Sequence, residues 1–172
     1  MGELRVFLKQ EDIISRVQEL AKKIAGDYKD GVHIVCVLKG AYVFCADLLR
    51  ALNTLGAKNI EVDFLIAKSY QGEESSGDVR IEYFEGKVEE KDVLVVEDIV
   101  DTGLTVKQTR EVLMSRGARS VKFCALLDKP SRREVEVKLA YIGFEIPNLY
   151  MVGYGLDLDE KYRDLPYIGV IE

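Results

Sequence analysis

Apolar positions along the chain follow two spacings, one typical of helices and one typical of buried strands. Apolar residues recur every three or four positions in residues 11–27, 41–55 and 106–115. This spacing predicts three helices. Shorter apolar runs predict strands at 32–38, 60–67, 80–84, 93–96, 120–127, 141–144 and 149–153. Continuous apolar runs are typical of strands covered on both faces, as in a parallel sheet.

The order of these segments predicts the fold class. Strands alternate with helices up to residue 127, as in α/β proteins with a central, mostly parallel sheet flanked by helices. Residues 129–172 lack a strong helix, so we expect them to form a small cap, or hood, over the strand ends together with the N-terminal segment. No linker or internal repeat interrupts residues 1–172, which predicts a single domain.

The segment 93–105 is the strongest candidate for chemistry. A buried strand runs into Glu97, Asp98 and Asp101, and a Thr-Gly turn then precedes the helix at 106–115. Ligands bind at the carboxyl ends of strands in such sheets, and the free N–H groups of a helix N-terminus bind anions. Asp101 could instead be a helix cap in a solvated turn. A cap would not explain Glu97 and Asp98, which should point to opposite faces of the strand.

Charge and residue content exclude several classes of protein. The net charge of −6 opposes general nucleic-acid binding, which usually needs a basic face. No apolar run approaches the ~18–20 residues that span a bilayer, and residues 1–6 lack a signal-peptide core, so we expect a cytoplasmic protein. Cys36, Cys45 and Cys124 lie in apolar stretches and are expected to be buried free thiols. With His33 as the only histidine, a Ser-His-Asp or Cys-His enzyme is disfavoured.

Several motifs resemble one enzyme family. Residues 97–105 resemble the phosphoribosyl pyrophosphate signature of type I phosphoribosyltransferases. Residues 38–40 resemble the family's pyrophosphate loop, and residues 68–70 with the polar, Gly-rich stretch after them resemble its flexible catalytic loop. Four further motifs resemble the 6-oxopurine branch, at 128–129, 143–147, 153–157 and 162–165. The resemblance covers nearly the whole chain and implies the type I phosphoribosyltransferase fold.

The resemblance implies a reaction, in which hypoxanthine or guanine and phosphoribosyl pyrophosphate give a nucleoside monophosphate and pyrophosphate. Positive charge builds on the sugar as pyrophosphate departs, and carboxylates that face it stabilise the transition state. Glu97 and Asp98 would hold the ribose hydroxyls directly or through Mg²⁺, the implied cofactor. Asp101 would accept the proton of purine N7. The partners are these small molecules, and the family forms homodimers and homotetramers.

The resemblance also implies the binding residues. The 5′-phosphate would be held by the turn of Asp101, Thr102, Gly103, Leu104 and Thr105. Pyrophosphate would be bound by Lys39, Gly40 and Arg163, and Ser69 and Tyr70 would close over the site. Lys129 would donate to purine O6, Tyr150 would stack on the base, Met151 would offer backbone groups, and Asp157 would hold a second Mg²⁺. In the family a non-proline cis peptide precedes the lysine that Lys39 matches.

Three alternatives compete with this interpretation. A phosphoribosyltransferase-like regulator that senses nucleotides is the main one, and the acidic charge and short length oppose it. A doubly wound oxidoreductase would need a Gly-x-Gly-x-x-Gly turn after the first strand, where residues 38–42 read Leu-Lys-Gly-Ala-Tyr. A P-loop kinase would need Gly-Lys-Ser/Thr, which the chain lacks.

Overall fold

A computed structural model describes residues 3–69 and 79–171. Its main sheet has six strands in the order β4-β3-β2-β5-β6-β7. The strands are β2 (Val32–Leu38), β3 (Ile60–Ser69), β4 (Val79–Tyr83), β5 (Asp92–Val100), β6 (Ser120–Asp128) and β7 (Tyr141–Glu145). β4 is antiparallel to β3, and the other neighbours are parallel. The predicted mostly parallel sheet is confirmed.

β5 continues further than the apolar run predicts. The acids were expected after the strand, but Glu97 and Asp98 lie inside it because β5 stays paired with β6 up to Val100 and Asp128. Alternation along the extended strand buries Glu97 and leaves Asp98 partly exposed. The two carboxylates therefore differ in environment, as the strand period predicts.

Three helices cover the two faces of the sheet. They are α1 (Gln10–Asp27), α2 (Tyr42–Thr54) and α3 (Leu104–Ser115). α1 and α2 contribute to the same hydrophobic cluster as Ile34 and Cys36 of β2. Val106 and Leu113 of α3 belong to the cluster on the opposite face. All three helices lie close to their predicted bounds, because each has an apolar face that the sheet buries.

A small second sheet joins the two ends of the chain. The periodicity predicts no strand at either end. Its order is β1 (Leu4–Leu8), β9 (Ile168–Ile171) and β8 (Met151–Val152). β9 is antiparallel to both neighbours. Periodicity misses β1 and β9 because strands of five and four residues are too short to show a clear pattern.

The prediction that the cysteines are buried free thiols is confirmed. All three cysteines are buried and free. His33 is buried, and its Nε2 lies 2.7 Å from Asp63 Oδ2, so it has structural contacts. Among the helices of the described residues, none is long and apolar enough to cross a membrane.

Candidate active site

The loop after β2 is packed between two other parts of the chain. The Leu38–Lys39 peptide is cis, as the resemblance implies. A side chain at Gly40 would overlap the Asp98 carboxylate, and one at Gly155 would overlap the Gly40 carbonyl. Only glycine permits such close approach of backbone. The two glycines therefore bring the loop against both β5 and the tail of the chain.

Buried Glu97 and partly exposed Asp98 form an acidic pair at the end of β5. Glu97 is 4% exposed, and within the described part of the chain its Oε1 has no hydrogen-bond partner. Burial, and then the charge of Asp98, raises the pKa of Glu97 well above its ordinary value. Burial also raises the pKa of Asp98 to about 6, although its Oδ1 accepts a hydrogen bond of 2.8 Å from the Ile99 N–H.

This acidic pair suits a cation. A buried carboxylate oxygen without a donor is costly unless a ligand satisfies it, and carboxylates are preferred Mg²⁺ ligands. Asp157 lies near enough for its charge to raise the pKa of Asp98 further. Even so, no three acidic, histidine or cysteine side chains come together as one metal-binding group in residues 3–69 and 79–171. The carboxylate oxygens of Glu97 and Asp98 therefore fit Mg²⁺.

The turn between β5 and α3 has an open helix N-terminus. Gly103, with φ of +88°, is the N-cap residue before the first helical residue Leu104, and it has no side chain to cap the helix. The cap interpretation of Asp101 is therefore wrong. The Thr102 hydroxyl accepts a hydrogen bond of 3.3 Å from the Leu104 N–H inside the turn. The free N–H groups at the start of α3 can bind an anion.

Asp101 and Lys129 follow the ends of the neighbouring strands β5 and β6. Asp101 is partly exposed, and its Oδ1 lies 3.1 Å from Arg132 Nε. Lys129 is only 7% exposed, and its N–H donates to the Val100 carbonyl at 3.0 Å. A solvated surface lysine would be much more exposed, so burial favours a functional role for Lys129.

The chain after β7 adds an aromatic residue and a charged network. Tyr150 is 55% exposed, and its hydroxyl donates to the Asp157 carbonyl at 3.1 Å. Met151 is buried in β8. Arg163 donates to the Gly155 carbonyl at 2.8 Å and forms a 3.0 Å ion pair with Asp157. The Arg163 Nε is buried and has no partner among the described residues, so it is open to a further acceptor.

Glu160 is a site residue that the sequence analysis missed. Its carboxylate lies 3.1 Å from Lys39 Nζ and 3.2 Å from Arg163 Nη2. It therefore joins the two cations that were assigned to pyrophosphate. An acid in a tail loop is usually a solvated charge, so the sequence alone carries no signal for this contact.

A cavity of about 550 Å³ lies between several of these loops. It is lined by Lys39, Gly40, Glu97, Asp98, Thr105, Asp157, Glu160 and Arg163, together with neighbouring strand residues. Asp101, Lys129, Tyr150 and Met151 are not part of its lining. A cavity of about 570 Å³ between α1 and α2 is lined by none of the predicted site residues. Tyr70 lies outside the described residues, as does the rest of 70–78, and the Ser69 backbone ends β3.

Comparison with known proteins agrees with this geometry. The model of the phosphoribosyl transferase domain family matches residues 6–159. The chain belongs to the phosphoribosyltransferase family. The hypoxanthine-guanine phosphoribosyltransferase of Streptococcus thermophilus is 42% identical to this phosphoribosyltransferase, over 98% of this chain and 93% of the relative. The hypoxanthine phosphoribosyltransferase of Escherichia coli K12 is also 42% identical, over 98% and 95% of the respective chains.

A solved structure supports the fold of this phosphoribosyltransferase. A crystal structure of a hypoxanthine-guanine phosphoribosyltransferase from Bacillus anthracis superposes with a TM-score of 0.92. It is 36% identical, and the match covers all of both chains. The predicted type I phosphoribosyltransferase fold is confirmed.

Proposed function

We propose that this chain is a purine-salvage transferase that moves a phosphoribosyl group from phosphoribosyl pyrophosphate to hypoxanthine or guanine. The products would be IMP or GMP and pyrophosphate. The observation that carries the proposal is the acidic pair of buried Glu97 and partly exposed Asp98 beside the open N-terminus of α3. An anion site next to two carboxylates suits a substrate that carries a phosphate and becomes cationic at the sugar. The two relatives that are 42% identical are named as phosphoribosyltransferases. This favours catalysis over the regulator alternative.

The residues would act on different parts of the substrates. The turn from Asp101 to Thr105 would hold the 5′-phosphate with its backbone N–H groups and the hydroxyls of Thr102 and Thr105. Glu97 and Asp98 would face the ribose. The base nitrogen forms a bond to the sugar carbon as the bond to pyrophosphate breaks. Asp101 would accept the N7 proton, because a carboxylate beside the attacking base can act as a general base. Lys39, Gly40 and Arg163 would bind the departing pyrophosphate.

Base recognition would come from the chain after β6. Buried Lys129 would donate to purine O6, since an ammonium donates hydrogen bonds and an amino group at that position cannot accept one. Tyr150 is exposed enough to stack on a base, and Met151 would offer backbone groups to the base edge. Ser69 and Tyr70 would close over the reacting atoms and exclude water.

Mg²⁺ is proposed as the cofactor. When bound, it would supply positive charge that balances the phosphates. Glu97 and Asp98 would hold one ion and Asp157 a second, in keeping with the unpartnered Glu97 oxygen.

We propose one domain over residues 1–172, in which the β1-β9-β8 sheet and the tail from residue 129 form the hood. We also propose a homodimer or homotetramer in the cytoplasm that acts on small molecules and binds neither nucleic acid nor membranes. Light scattering of the purified protein would measure its assembly state.

A substrate comparison tests the proposed function. Pyrophosphate release is measured with hypoxanthine, guanine, xanthine and adenine, with and without Mg²⁺. We expect activity with 6-oxopurines, little with adenine, and a requirement for Mg²⁺. Asp101→Asn should lower turnover at least ~10-fold, because general-base catalysis contributes that much or more, and should leave the melting temperature nearly unchanged. Absence of activity with every oxopurine would overturn the proposal, and an unchanged rate in Asp101→Asn would remove Asp101 from the mechanism.

A further inference from the structure

The segment that follows Lys129 packs against the turn that carries Asp101. It forms a short 3-10 helix, Pro130–Arg132, and then runs alongside the turn. The N–H groups of Glu134 and Val135 donate to the Thr102 carbonyl at 2.9 and 3.2 Å. A side chain at Gly103 would lie 3.0 Å from the Val135 carbonyl oxygen. The outer side of the turn is therefore held by residues 133–135.

Arg133 makes two further contacts, both with groups at the strand ends. Its Nη1 donates to the Asp101 carbonyl at 2.7 Å, and its Nη2 forms an ion pair with Asp128. The side chains of Arg133 and Asp128 are 18% and 8% exposed. Asp128 is the last residue of β6 and pairs with Val100 of β5. The planar guanidinium thus fixes the main chain of Asp101 to the end of the neighbouring strand.

Both residues proposed to handle the base lie next to this contact. The Asp101 side chain branches from the Cα atom, which is bonded directly to the carbonyl group that Arg133 binds. Lys129 lies between Asp128 and the segment that holds the turn, and its own N–H binds Val100. A shift of about 1 Å in a reacting group can cost ~100-fold in rate. The position of the Asp101 carboxylate therefore follows the main chain that Arg133 contacts.

We propose that Arg133 is a positioning residue for Asp101. Its two contacts are with the Asp101 carbonyl and Asp128, so it acts by holding the main chain of the proton acceptor against β6. The inference rests on the proposed function, because it assigns Asp101 to proton transfer. Arg132 differs, since it contacts the Asp101 carboxylate itself through a half-exposed ion pair, and exposed pairs contribute little.

The test compares single-turnover rates, which separate chemistry from product release. Arg133→Met should lower the single-turnover rate with hypoxanthine ~10- to 100-fold. Arg133→Lys should recover part of the loss, because an ammonium can still pair with Asp128 but cannot bind both acceptors in the same planar geometry. Arg116→Met is the matched control. Arg116 also donates to a main-chain carbonyl, that of Phe84 at 2.7 Å, and it lies over the Phe84 ring, away from the site.

A double-mutant cycle identifies the route of the effect. If Arg133 acts through Asp101, Arg133→Met should change the rate of Asp101→Asn less than ~3-fold, because residues that act as a unit are not additive. Equal losses in both backgrounds would overturn the positioning role, as would an Arg133→Met rate within twofold of wild type. If Arg133→Met fails to fold, Arg133→Lys carries the same test. Wild-type protein without oxopurine activity would instead refute the proposed function.

Discussion

The surroundings of Asp98 disfavour the charged form of its carboxylate, and a bound cation would offset that cost. Its pKa is raised to about 6 by burial, and the pKa of Glu97 is raised for the same reason. Between pH ~4 and ~6 the Asp98 side chain is mostly ionised in the unfolded chain and mostly protonated in the folded protein. Ionisation of the unfolded state favours unfolding, so this group lowers stability as pH rises through that window.

Asp98→Asn should therefore stabilise the ligand-free protein above pH 6. The gain should be at most about 3 kcal/mol, from a shift of about two pKa units, and it should vanish below pH 4. Urea unfolding in the presence of a chelator from pH 3.5 to 8 measures it.

Asp92→Asn is a control of opposite sign. Hydrogen bonds from Arg119 and then Ser120 lower the pKa of Asp92 to about 2. The folded state therefore gains stability from this carboxylate above pH ~4 and loses it as pH falls toward 2. Asp92→Asn should be the less stable protein at neutral pH. A pH-independent Asp98→Asn effect would contradict the assignment of the burial cost to ionisation.

Glu160 should compete with pyrophosphate for Lys39 and Arg163. The carboxylate already contacts both cations, so an incoming anion must displace it. Glu160→Gln removes the negative charge, and we expect pyrophosphate to inhibit the variant at ~2- to 5-fold lower concentration, in line with the small energies of exposed ion pairs. Product-inhibition kinetics measure this constant.

Asp159→Asn is the matched control, because Asp159 lies in the same loop and also has a positive φ. Its effect on inhibition should be smaller than that of Glu160→Gln. Weaker pyrophosphate binding by Glu160→Gln would show that Glu160 orders the cations, and would contradict competition.

At the scale of elements, the site forms where distant segments of the sequence come close together. Glycines permit this approach because they have no side chain. Gly40→Ala would force its new methyl group into the Asp98 carboxylate. Either the loop or Asp98 must move, so we expect kcat/KM for phosphoribosyl pyrophosphate to fall at least ~10-fold. Steady-state kinetics with this substrate varied measure the loss.

Gly26→Ala provides the comparison within a helix. A methyl group at Gly26 in α1 meets no atom within 4 Å. Alanine is favoured over glycine in helices by roughly 0.5–1 kcal/mol, so this variant should keep full activity and melt slightly higher. Full activity in Gly40→Ala would show that the loop can adapt.

The sequence predicts elements better than it predicts contacts. Apolar runs and helical spacing locate β2, β6 and α1 because burial on the sheet imposes those patterns. The acids of β5 are also found, since charged residues at the end of a buried strand are unusual. The contacts of Arg133 and Glu160 are not found, because adjacent arginines after a strand and an acid in a loop look like ordinary surface charge.

At the scale of the whole molecule, the proposed hood depends on strands from both ends of the chain. Gly169 lies in the central strand β9 and pairs with Val6 and Val152. A methyl group there would lie 2.7 Å from a Leu4 side-chain carbon and 3.1 Å from the Arg5 carbonyl. Gly169→Ala can be accommodated by movement of Leu4, whereas the extra methyl groups of Gly169→Val should push β1 away.

Gly169→Val should therefore raise the KM for hypoxanthine more than the KM for phosphoribosyl pyrophosphate. The reason is that β8, with Met151, is the other partner of β9, while the phosphate turn belongs to the main sheet. We expect Gly169→Ala to stay within ~2-fold of wild type and Gly169→Val to exceed ~5-fold for the purine, since small misplacements of binding groups are costly. Equal changes for both substrates would argue against a separate role of the hood in base binding.

The close stacking of Gly155, Gly40 and Asp98 also has an evolutionary consequence. Each of these positions restricts the size of its neighbour, because a side chain at one glycine would overlap the next group. A side chain at position 155 is opposed by the main chain of Gly40, and one at position 40 is opposed by the Asp98 carboxylate, although these positions are separated by more than fifty residues in the sequence. In the language of genetics, positions 40 and 98 are epistatic, because a smaller residue at 98 would make room for a side chain at 40.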